Sequence, residues 1–178
     1  MFHRTQFLFL SLAVAVSLSL PATHTAAPAA AATASQWPII QVEKRQDIRV
    51  AYDVKDDVWE AGIGKALYYV RGLLEAYKSQ GVAPEQLHVS VVLHGPAAYW
   101  VLNDAAYQRF KKDEFAYNPN DKVIGELLAH GVSVELCGVT MKAQGWRPED
   151  VLPGVVIVHD AYTRLIDLQQ RGYAYIRF

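Results

Sequence analysis

The sequence predicts a single-domain α/β fold, a mainly parallel sheet with helices on both faces. Three observations lead there. Short runs rich in valine, isoleucine and leucine recur at 48–52, 88–94, 132–136 and 155–158. Between them lie stretches with apolar residues every three or four positions. Gly81, Gly131 and Gly172 stand where those stretches end. Strands of continuous apolar character separated by helices belong to a sheet covered on both faces, because a strand with one wet face alternates instead.

The first segment reads as a leader. Arg4 and no acid precede the apolar run Phe7–Leu20, Pro21 breaks it, and Ala32-Thr33-Ala34 supplies a small-residue cleavage pattern before Ser35. The run is shorter than the ~20 residues that span a bilayer, so a cleaved secretory signal over 1–34 is expected rather than a membrane anchor. An N-terminal extension (35–46) and one domain (47–178) follow. The expected compartment is periplasmic or extracellular, with no stable anchor after cleavage. The 144 remaining residues suit one core, and their net charge of −2 gives no reason to expect nucleic acid as a partner.

In chain order, Ile48–Tyr52 is the first strand. Asp56-Asp57 is expected to start a helix carrying Val58, Ile63, Leu67, Val70, Leu74 and Tyr77 on one face, with Gly81 ending it in a left-handed conformation. This places Gly62-Ile63-Gly64-Lys65 inside a helix as packing glycines, and it lacks the spacing of a phosphate loop. The second strand is His88–His94, closed by Gly95-Pro96. The aromatic stretch Tyr99–Tyr117 reads as a lid or subunit interface slightly ahead of ordinary core. Asn118-Pro119-Asn120-Asp121 opens a helix with Val123, Ile124, Leu127 and Leu128, which leads into the strand ending at Cys137. After a short helical piece near Met141 come strand Val155–Val158, helix Tyr162–Arg171 and a final strand, Tyr173–Phe178.

Cys137 is the only cysteine, placed between an apolar strand and Gly138-Val139-Thr140. The carboxyl ends of strands in an open α/β sheet border a ligand crevice, and backbone N–H groups of a following helix favour a thiolate. A lone cysteine is equally a small buried hydrophobe. Asp53, His94 and His159 also fall at strand carboxyl ends, and a histidine beside a cysteine can take its proton. His94 is the better candidate, because Gly95 lets a ligand approach the backbone. His159 stands beside Asp160, the expected cap of the next helix, and is read as serving it. No histidine or cysteine pair has close metal-ligand spacing, so neither a metal site nor a cofactor is predicted.

The segment Gly131–Lys142, with the helix before it and the later Leu152-Pro153-Gly154-Val155, resembles the DsrE/DsrF family. The helix Arg164–Gln170 and the strand Tyr173–Phe178 are similar to those of its exported members. The resemblance implies a parallel α/β fold, assembly into homo-oligomers and, as in the family's sulfur-relay branch, a persulfide carried on Cys137. It also implies a sulfur donor or acceptor protein as partner. On that reading the thiol should be partly exposed, with Gly138 and Val139 N–H groups and Lys142 as anion stabilisers, although Lys142 is read first as a solvent-facing residue. The competing expectation is a binding or assembly module whose Cys137 is buried and inert. A Cys/His hydrolase ranks lower, because no oxyanion hole is legible.

Overall fold

In the computed structural model, residues 39–178 are described. β1 (Ile48–Val54) leads through a hairpin, β2 (Trp59–Glu60) and β3 (Ile63–Gly64), into α1 (Lys65–Ser79). β4 (Leu87–Leu93) is followed by a 3-10 segment (Gly95–Val101), α2 (Asp104–Lys111) and α3 (Asp121–Ala129). β5 (Ser133–Cys137), α4 (Gly138–Ala143), β6 (Val156–Val158), α5 (Ala161–Gln170) and β7 (Ala174–Arg177) complete the domain. The sheet order is β6-β5-β4-β1-β7 and every neighbouring pair is parallel. The expected leader, with its cleavage site, lies outside the described residues, as does the start of the 35–46 extension.

The chain steps from β1 to β4, β5 and β6 in one direction, then returns across the sheet to lay β7 beside β1. Right-handed crossovers therefore send the early helices to one face and α5 to the other. The larger core joins Val50, Tyr52, Val91 and Leu93 to Leu67 and Val70 of α1 and to Ile124 and Leu127 of α3. On the opposite face a smaller cluster joins Ala51, Val92 and Cys137 to Ala161, Leu165 and Leu168 of α5. β1's two neighbours are thus reached over opposite faces, β4 by way of α1 and β7 by way of α5.

The structure corrects the expected first helix. Ala61 and Gly62 both have positive φ (49° and 82°), so the chain makes a tight hairpin turn, and the helix starts only at Lys65. Val58 and Ile63 mimic helical spacing but sit on the hairpin. Gly62 is therefore a turn residue, while Gly64 does pack. A β-carbon there would stand 2.4 Å from the Trp100 ring.

Asp57 caps no helix. It accepts hydrogen bonds from Tyr99 Oη (2.8 and 2.9 Å) and from the indole N–H groups of Trp59 and Trp100 (2.8 Å each). Tyr99, Trp100 and Tyr107 are thus core residues, contrary to the lid or interface expectation, while Phe115 and Tyr117 remain exposed. Burial, reinforced by the bond to Asp57, holds the Tyr99 phenol well above its ordinary range.

The expected helix start at Asn118-Pro119-Asn120 works differently too. Asn118 Nδ2 donates to the carbonyls of Trp100 (2.7 Å) and Leu102 (2.6 Å), and Asn120 Oδ1 accepts from Gly64 N (2.7 Å). These side chains tie the hairpin and the 3-10 segment to α3. The terminal strand forms as expected, with Phe178 N donating to Asp53 O at 2.9 Å and Lys55 N to Phe178 O at 3.2 Å.

Candidate functional site

Parallel register brings the carboxyl-edge residues together. Leu93 pairs with Leu136, so His94 and Cys137 each lie one residue further on along adjacent strands, about 4.8 Å apart in the sheet direction. Asp53 pairs with Val92 on the other side of β4. A strand's side chains alternate, so Asp53, His94 and Cys137 share the face that α5 covers.

Asp53 and His94 are both 5% exposed and directly bonded, Nε2 to Oδ1 at 2.7 Å. Tyr175 Oη, from β7, donates to the other carboxylate oxygen at 2.5 Å. In a bond to a carboxylate oxygen the ring nitrogen is the donor, so Nε2 bears the shared hydrogen and Nδ1 is the ring nitrogen that Asp53 leaves unengaged. The Tyr162 ring stands edge-on to His94, with centroids 5.4 Å apart. The bond to Asp53, together with partial burial, raises the Tyr175 phenol above its ordinary range and keeps it a donor.

Cys137 is 5% exposed, which corrects the expectation of a partly exposed thiol. It pairs with Val158 and packs with Ala161 in the first turn of α5. Gly138 lets this happen, because a β-carbon there would come within 2.8 Å of Val158 O and 3.1 Å of His159 O. Close contact between the β5–α4 and β6–α5 junctions buries the thiol.

A model of the DsrE/DsrF-like family matches residues 62–178. This chain belongs to the DsrE/DsrF-like family. No curated protein matches it. Among solved structures, the fold is similar to that of MTH1491 from Methanobacterium thermoautotrophicum, described as a protein of unknown function. The two are 24% identical over 74% of this chain and 100% of that one, with a TM-score of 0.57. It is also similar to the ychN protein of E. coli, at 17% identity over the same shares and a TM-score of 0.51. At these identities the likeness is one of fold.

Within this DsrE/DsrF-like domain the remaining sequence candidates separate. Gly95 has φ 55° and its N–H donates to Thr140 Oγ1 at 3.3 Å, tying the end of β4 to α4. Val139 and Lys142 are exposed on α4. His159 faces solvent, 3.3 Å from Asp160, and stays apart from the buried pair. Asp160 caps α5 by accepting from Thr163 N at 2.9 Å. The bonds from Thr163 hold its carboxyl down near a pKa of about 2.

Three participants were missed. Lys55 lies across Gly95, where an added β-carbon would meet its Cγ at 3.3 Å, which brings this side chain next to the residue after His94. Tyr175 lies in the expected terminal strand, but its partner Asp53 is 122 positions away, beyond the reach of local spacing. The third is the pair of Glu135, 1% exposed, with Arg164 of α5. It is bidentate (2.7 and 2.9 Å) and holds the helix over the polar sheet face. The alternation of Glu135 with Cys137 along β5 was the available signal.

Proposed function

We propose that this protein is a sulfane-sulfur carrier whose Cys137 forms a persulfide, with His94 receiving the thiol proton. The observation that carries the reading is the register of His94 beside Cys137 at the carboxyl edge of the sheet, with His94 oriented by a buried carboxylate. The thiolate attacks the outer sulfur of a donor such as thiosulfate. A new S–S bond forms on Cys137, the donor's S–S bond breaks, and sulfite leaves with the electron pair. An acceptor thiolate then attacks the terminal sulfur and Cys137 leaves as thiolate. Family membership supports self-assembly, and the composition of residues 1–34 supports export to a periplasmic or extracellular setting.

The burial of Cys137 favours a second reading, a binding or assembly module with a structural cysteine. Intact-protein mass spectrometry after exposure to polysulfide or thiosulfate separates the two. A carrier gains one reductant-sensitive sulfur atom, and the Cys137→Ser variant gains none. A native chain that stays unmodified while the denatured chain reacts overturns the carrier reading.

A further inference from the structure

We infer that Asp53, braced by Tyr175, is a positioning residue that holds His94 in the Nε2–H tautomer and so makes Nδ1 the proton acceptor for Cys137. The inference rests on the carrier reading and adds the two residues that set its base.

The geometry is a chain across three strands. Tyr175 of β7 donates to Asp53 of β1, and Asp53 accepts from His94 at the end of β4. Cys137 ends β5, the next strand over. Both of Asp53's carboxylate oxygens are engaged, so it cannot rotate without breaking a bond inside a nearly closed site. Accepting from both neighbours, the carboxylate holds the imidazole in one tautomer and stabilises the imidazolium when it forms. In the step itself the Cys137 S–H bond breaks and an N–H bond forms at Nδ1. The products are a thiolate and an imidazolium, and the proton is not passed on to Asp53.

The groups that face this chain are few. β1 and the residue after it bring Asp53 and Lys55, α5 brings Tyr162, β5 brings Cys137, and β7 brings Tyr175 with Arg177, which pairs in register with Asp53. Glu135, two residues before Cys137 on β5, is occupied by Arg164. Tyr162 packs its ring against His94 rather than hydrogen-bonding it, so Asp53 alone among the described residues bonds the imidazole.

The test combines two readouts on full-length wild type, Asp53→Asn and Tyr175→Phe. The first is the His94 ring nitrogen chemical shifts, which report the tautomer. The second is the pH–rate profile of Cys137 alkylation by iodoacetamide, with circular dichroism confirming the fold. Wild type should show the Nε2–H tautomer. Asp53→Asn should mix the tautomers, slow alkylation at neutral pH by at least about tenfold and move the profile to higher pH. Tyr175→Phe, at a sheet edge where folding is least at risk, should move both readouts in the same direction by about threefold in rate. Folded variants with wild-type tautomer and wild-type profile overturn the positioning role and leave the carrier reading standing. A wild-type Cys137 that does not react in the native protein overturns both.

Discussion

Gly64 lies flat against the ring of Trp100, and a single added carbon would stand 2.4 Å from it. Trp100 is fully buried and fixed by its bond to Asp57, so it cannot move aside. Gly64→Ala should therefore cost about 1–3 kcal/mol through overpacking. Trp100→Ala should cost about 3–5 kcal/mol by opening a cavity. Urea titration reads both, and an unchanged midpoint for Gly64→Ala would refute the close packing.

Asp57 gathers three aromatic donors on one carboxylate. Replacing it with alanine leaves Tyr99 Oη and the Trp100 indole N–H without partners in the core, a loss of about 1–3 kcal/mol. The loosened hairpin should also show faster amide exchange at Lys65, whose N–H bonds Val58 O at 2.8 Å. Wild-type exchange at that amide would argue against the latch.

Arg164 shields an otherwise buried charge. Arg164→Met strands Glu135 and should destabilise by about 3 kcal/mol, whereas the double variant Glu135→Leu with Arg164→Met should recover much of that loss. The double-mutant cycle gives the coupling directly, and additive losses would show that the pair is not coupled.

Asp160 supplies an acid-sensitive contribution. Its carboxyl is depressed to about 2 in the fold by the Thr163 bonds, against about 3.9 in an unfolded chain. Between those values the unfolded chain binds more protons, so this contribution is fully present above about pH 4 and is lost as pH falls through about 2. The stability gap between wild type and Asp160→Ala should narrow over that window in denaturant melts. A constant gap would contradict the cap's ionisation.

If Cys137 is loaded by anionic donors, Lys55 rather than Lys142 should recruit them, because it lies across Gly95 beside His94. Lys55→Gln should slow persulfide formation from thiosulfate several-fold, with a weaker dependence on salt, and Lys142→Gln should leave it unchanged. Equal effects of the two variants would remove the distinction.

The sequence by itself determined the α/β class, all five strands of the parallel sheet, the glycine ends of α1, α3 and α5, the cap at Asp160 and the carboxyl-edge placement of Cys137 and His94. These are local matters. Apolar runs, helical spacing and left-handed glycines act within a few residues of themselves. Tertiary structure alone decided the strand order, and with it which histidine stands beside Cys137. It also decided the hairpin at Ala61-Gly62, where a left-handed turn and the packing of Gly64 on Trp100 override an apparent helical pattern. The bonds from Tyr175 to Asp53 and from Arg164 to Glu135, and the closure over Cys137, join residues 21 to 122 positions apart. Such contacts follow from topology and close packing, which local spacing does not encode.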